Sequence, residues 1–149
     1  MSILLSAEDT QSVLVDYQVK LMPVIHQADA VLGNAKRLAK IAHLLKLPII
    51  GTEQNPEKLG SNDQEIKGLC QKTLTKMHFG ACEDGLVELL REPPKPMGNA
   101  RSLPKHIQRK QSTQEERNTI VIAGCEAHVC LLQTALGLLE EEFDVSLVK

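Results

Sequence analysis

The sequence has no tryptophan, one tyrosine (Tyr17) and two phenylalanines (Phe79 and Phe143) among 149 residues. So few rings exclude the stacking platforms of single-stranded nucleic-acid binders and cages for quaternary amines. The core falls to Leu, Ile, Val and Ala. There is no excess of charge either. Seventeen Lys and Arg stand against nineteen Asp and Glu, a formal net charge of -2. No basic field therefore directs the chain to nucleic acid or to an anionic membrane. No apolar run approaches the ~20 residues that span a bilayer. Ile3-Leu4-Leu5 is too short for a secretory signal and has no basic residues before it. The four cysteines, Cys70, Cys82, Cys125 and Cys130, form no Cys-x-x-Cys pair, so neither a zinc ribbon nor a thioredoxin-type motif is indicated. The expected setting is a reducing cytoplasm with free thiols, no metal and no cofactor.

Apolar residues at 42% and charged residues at 24% are ordinary for a soluble globular domain, and the length suits one. Apolar runs alternate with amphipathic stretches. Ser12 to Tyr17 reads as a first strand. From Ala28 to Leu45, apolar residues recur at three- and four-residue steps (Val31, Leu32, Ala35, Leu38, Ala39, Ala42), which predicts a helix. Leu47 to Thr52 reads as a second strand, Asn55 to Asn62 as a loop, and Gln64 to Cys70 as a short helix. Lys72 to Lys76 is an alternating strand and Glu83 to Arg91 a short helix. Thr119 to Ala123 is the strongest strand, followed by a Leu-rich helix over Ala127 to Glu142 and a last strand from Asp144 to Val148. Between them, residues 92–117 carry Pro93, Pro94, Pro96 and Pro104 with six basic residues, and read as a surface insertion. The alternation predicts a three-layer α-β-α fold on a parallel sheet of about five strands. Right-handed crossovers and the long link before the fourth strand give the order 3-2-1-4-5. The functional crevice is then expected beyond the carboxyl ends of strands one and four.

That topology singles out three residues. Asp16 ends strand one, Lys76 ends strand three, and Cys130 lies just past strand four in the first turn of its helix. A carboxylate, an ammonium and a thiol at one sheet edge are what activating a sulfur nucleophile requires. Strand three lies roughly 10 Å from strand one, so the lysine must reach across on its stem. Each residue also has a plainer reading: Cys130 as a buried helix thiol, Asp16 as a turn cap, Lys76 as a solvated strand end.

At these residues the chain resembles the isochorismatase-like cysteine hydrolase family, which includes nicotinamidases. Val13-Leu14-Val15-Asp16-Tyr17-Gln18 resembles its opening motif, and Thr52-Glu53-Gln54-Asn55-Pro56 the branch that carries Thr-Glu-Gln there. Lys76-Met77-His78-Phe79-Gly80-Ala81 resembles the lysine segment, with Lys72 as a nearby competitor. Gly124-Cys125-Glu126-Ala127-His128-Val129-Cys130 resembles the nucleophile segment. The resemblance implies a Cys130 nucleophile kept anionic by its electropositive seat, with Asp16 and Lys76 as partners. It implies an oxyanion hole from the backbone N–H groups of Glu126 and Cys130, and a cis peptide between Cys125 and Glu126. Gln18, Glu53, Gln54, Phe79 and His128 are the implied substrate-pocket residues.

The implied reaction is hydrolysis of a C–N bond in a small amide-like substrate through a thioester. The Asp-x-His and further His that hold a metal in nicotinamidases have no counterpart after strand two. Two other readings stay open: a catalytically silent oligomerisation or binding module, and an isochorismate-type vinyl-ether hydrolase. The family normally continues past a fifth strand, whereas this sequence stops there. The expectation is a single domain, truncated after strand five, with an apolar face left for a homo-oligomeric partner.

Overall fold

The computed structural model describes residues 4–93 and 116–149. Nearly all of the Pro-rich insertion over 92–117 therefore lies outside the described residues. The elements run β1 (Thr10–Val15), α1 (Ala28–Leu44), β2 (Ile49–Gln54), α2 (Pro56–Leu59), α3 (Gln64–Leu69), β3 (Lys72–Lys76), α4 (Leu86–Arg91), β4 (Thr119–Gly124), α5 (Cys130–Glu140) and β5 (Asp144–Leu147). The five strands form one parallel sheet in the order β3-β2-β1-β4-β5, the order the crossover argument predicts.

Both faces of the central strands are covered, whereas β5 is half-buried to exposed. The apolar residues of β1 and β4 are accordingly buried on both faces rather than on one. Val13, Val15, Ile50, Ile120 and Ile122 face one side and pack with Leu86 and Leu90 of α4 and with Leu131 and Leu138 of α5. Leu14, Ile49 and Ala123 face the other, against Ala35, Ala39 and Ala42 of α1 and Ile66 of α3. The small alanines of α1 are its buried stripe, so the helix sits close to the sheet. Among the described residues, no helix is long and apolar enough to cross a membrane.

Beyond shifts of one or two residues at other element ends, three elements differ from expectation, each where a backbone turn outweighs the apolar pattern. The segment expected as one helix over Glu83 to Arg91 is a 3-10 turn (Ala81–Asp84) and α4, separated by Gly85 at φ 101°. The loop between Asn55 and Asn62 holds the short helix α2, started by Pro56. The helix expected from Ala127 begins at Cys130, because Glu126 adopts a left-handed φ of 55° and residues 127–129 form a turn. The same observation corrects the expected cis peptide. Among the described residues no peptide bond is cis, and the reversal after Cys125 is made by the positive φ of Glu126.

Gly124 fixes how the two central strands meet. A Cβ there would lie 2.5 Å from Val15 Cβ and 2.8 Å from Val15 O, so only glycine lets β4 pass β1 this closely. The residues that follow this contact, Asp16 on one strand and Cys125 on the other, begin the candidate site.

Candidate active site

Asp16 leaves β1 at φ 58°, a region Asp tolerates better than most residues. The turn carries its side chain under the sheet edge, where it is fully buried. Its backbone N–H donates to Thr52 O at 3.2 Å, and Thr52 Oγ1 donates to Asp16 Oδ1 at 2.7 Å. One carboxylate oxygen is thereby fixed. The other, Oδ2, lies 2.9 Å from Lys76 Nζ, with both side chains at 0% exposure. Among the described residues no donor meets full hydrogen-bond geometry at Oδ2, whose close neighbours are the Lys76 ammonium and the Cys130 thiol.

Lys76 is the largest fully buried side chain of the described residues. Such burial of an ammonium is tolerated only with partners. Its Nζ donates to Gln54 Oε1 at 2.6 Å, Phe79 O at 3.0 Å and His78 O at 3.3 Å, besides pairing with Asp16. The lysine stem thus spans the gap between strands three and one, as its length allows. Lys72, the competing lysine, starts β3 at the opposite end and pairs with Glu92 near the surface.

Cys130 completes the group. It is the first residue of α5 and is 5% exposed, and its thiol interacts with both Asp16 and Lys76. Burial, Lys76 and Asp16 together push this thiol up to about 11: burial raises it most, the Lys76 ammonium pulls it down, and the Asp16 carboxylate raises it. Desolvation thus works against a thiolate here and the lysine works for it. No side chain caps the start of α5. The backbone N–H groups of Glu126 and Cys130 donate to no acceptor among the described residues. Two unpaired backbone donors near a buried thiol offer a place for a negative oxygen.

The family model described as "Isochorismatase domain" matches residues 10–97 and 99–149. The chain belongs to the isochorismatase family. "Isochorismatase domain-containing protein 2" from Danio rerio is 30% identical over 144 residues, covering 97% of this chain and 62% of that protein. The chain thus spans less than two-thirds of the length of this curated relative. Among solved structures, MAR1 ribonuclease from Caenorhabditis elegans superposes with a TM-score of 0.76 at 24% identity, covering 97% of this chain and 64% of that one. An octameric hydrolase of unknown specificity from Escherichia coli superposes with a TM-score of 0.74 at 21% identity, covering 99% and 65% respectively. Different activities are attached to one isochorismatase fold, so the fold does not choose among them and the site must carry that argument.

Of the five implied pocket residues, two are turned to other work. Gln18 is fully buried, and its amide is spent on main-chain atoms: Nε2 donates to Gln54 O and Gly60 O, and Oε1 accepts from Gln54 N. It braces the end of β2 rather than lining a pocket. Glu53 is committed to Asn62 N at 2.8 Å and Lys67 Nζ at 3.0 Å. Gln54 does stand in the site, as a ligand of Lys76. Phe79 contributes its carbonyl to the same lysine while its side chain is largely exposed. The His128 side chain is 80% exposed, 3.7 Å from Glu126. Thr52 holds Asp16 but was not singled out from sequence. Its register opposite Val15, one residue before Asp16, is the signal that marks it. Among the described residues no cluster of His, Cys, Asp and Glu is arranged to hold a metal ion.

Proposed function

We propose that the chain is a cysteine-dependent hydrolase that cleaves a C–N bond of a small amide-like substrate through a thioester. The observation that carries this reading is the buried Asp16–Lys76 ion pair set against the Cys130 thiol at a helix start. Hydrolases of this type need a sulfur whose proton can leave at the moment of attack. Here the proton has a destination in Asp16 Oδ2. As Sγ bonds to the substrate carbonyl carbon, Asp16 takes the thiol proton and the carbonyl oxygen becomes negative. The N–H groups of Glu126 and Cys130 receive that oxygen, and each such donor lowers the barrier by about 3–4 kcal/mol in comparable sites. Asp16 returns its proton to the departing nitrogen, the C–N bond breaks, and a thioester remains. Water attacks the thioester carbon and loses a proton to Asp16; the C–S bond then breaks, Asp16 returns that proton to sulfur, and the acid and the thiol are freed. Lys76 holds the positive charge that balances sulfur and carboxylate throughout.

Substrate size follows from what surrounds the site. Among the described residues Tyr17 is buried and the Phe79 side chain largely exposed, which favours a small aliphatic amide no less than a flat heteroaromatic substrate. Exposed Leu132, Leu136 and Leu139 on α5, with Leu147 and Val148 after it, support a homo-oligomer, in line with the octameric neighbour. All four cysteines are free, which suits a reducing cytoplasm.

Intact mass spectrometry after brief incubation with a panel of small amides tests the reaction. An acyl adduct mapped to Cys130, absent from Cys130→Ala, is the expected result. Undiminished turnover by Cys130→Ala would return the chain to a binding module or to vinyl-ether chemistry that needs no thiol.

A further inference from the structure

We infer that Asp84 is a positioning residue for Lys76, acting through the turn that supplies two of the lysine's oxygen ligands. The inference rests on the hydrolase reading above and extends it to a residue outside the family motifs.

The turn after β3 presents the carbonyls of His78 and Phe79 to Lys76 Nζ at 3.3 and 3.0 Å. Carbonyl oxygens aim at a cation only if the chain that leads to them is held. The two peptide groups that lead into this pair, on either side of Met77, converge on one carboxylate. Asp84 Oδ2 accepts from Met77 N and from His78 N, both at 2.9 Å, and Oδ1 meets His78 Nδ1 at 3.1 Å. The peptide planes on either side of Met77 are fixed further by Gln54 Nε2, which donates to Met77 O at 3.0 Å, and by Asn55 N, which donates to Lys76 O at 2.9 Å. The far end of the turn is tied to the nucleophile's helix, since Ala81 N donates to Thr134 Oγ1 at 3.1 Å, one helical turn beyond Cys130. Met77 and Phe79 side chains are exposed, so apolar packing does not hold this turn. Asp84, only 18% exposed, is the group on which both main-chain donors converge. Charge-assisted bonds of this kind are about twice as strong as neutral ones. Without them the carbonyls turn away and the ammonium settles off its position beside Asp16 and Cys130.

Alkylation of the full-length protein by iodoacetamide at pH 8, mapped by mass spectrometry, tests this without needing the substrate. Cys70, Cys82 and Cys125 serve as internal references. Lys76→Met is expected to slow alkylation of Cys130 about tenfold or more, because an adjacent cation lowers an acid's pKa by about 1–3 pH units. Asp84→Asn is expected to slow it about three- to tenfold. The Asp84→Asn/Lys76→Met double variant is expected to match Lys76→Met alone. His78→Ala, which keeps both main-chain donors to Asp84, is expected to stay near wild type. An unchanged Cys130 rate in Asp84→Asn, or additive losses in the double variant, would overturn the assignment of Asp84 while leaving the triad standing. No response to Lys76→Met would overturn the triad reading and Asp84's part in it together. If Asp84→Asn unfolds, Asp84→Ser retains a short oxygen acceptor and replaces it. Unfolding of both would make Asp84 a residue of the fold alone.

Discussion

A single carboxylate, Asp16, has two tasks that oppose each other. It must stay charged to hold Lys76 inside the protein, and it must accept a proton during the proposed reaction. Its two oxygens divide this work: Oδ1 accepts from Thr52, while Oδ2 faces ammonium and sulfur. Asp16→Asn removes both tasks without disturbing the turn, since Asn also tolerates the left-handed backbone at this position. The variant is expected to lose about 10²- to 10⁴-fold in kcat, the usual worth of a general base. It also leaves a buried ammonium without its counter-charge, which costs about 3–5 kcal/mol. Steady-state kinetics and denaturant unfolding read the two effects apart. A variant that unfolds more easily yet turns over normally would refute the base role and keep the ion pair. Residues of this site were unequally legible. Asp16, Lys76 and Cys130 stand at strand and helix ends, where topology and motif both point. Gln18 was not legible as a brace, because its partners are main-chain atoms 36 and 42 residues away with no side-chain signature. Asp84 is hidden for the same reason, since it acts on backbone N–H groups.

Strands and helices bring these residues together, and their contact distances set the tolerance. The approach of β4 to β1 at Gly124 is the tightest part of the site's support, with the Val15 carbonyl among the atoms that block a side chain. Gly124→Ala is expected to cost about 1–3 kcal/mol through overpacking. Because Asp16 and Cys125 follow directly, the strands would also part at the site. The fall in kcat/KM should therefore exceed that of a surface variant of equal stability. A thermal melt beside a turnover assay checks this, and an unchanged Tm would contradict the close-approach argument. The central strands were readable from sequence because burial on both faces leaves unbroken apolar runs. The start of α5 was not. Ala127 to Val129 fit a helix by composition, but the backbone reversal at Glu126, imposed by the ends of β1 and β4, delays the helix to Cys130.

On the scale of the whole molecule, burial holds several acids neutral. Burial raises Cys70, Cys82 and Cys130 to about 11, Cys125 to about 12, and Tyr17 well above the ordinary phenol value. A group whose pKa is raised on folding supports the folded state below its unfolded pKa and loses that support as pH climbs toward the folded value. The unfolded chain releases these thiol protons from about pH 9 upward, so it binds fewer protons than the native one there, and stability falls with rising pH. Melting temperatures should hold level up to about pH 9 and then decline, less steeply in Cys125→Ala. A flat profile through pH 10.5 would show that the thiols are not held neutral by the fold.

The sheet order carries one more consequence. Among the described residues β3 has a partner on one side only, and Lys76 ends it, whereas Asp16 and Cys130 follow the central strands β1 and β4. A margin strand frays at lower free energy than the middle of a sheet. Each such breath withdraws the cation while acid and sulfur stay put, so the chemistry switches off long before the architecture comes apart.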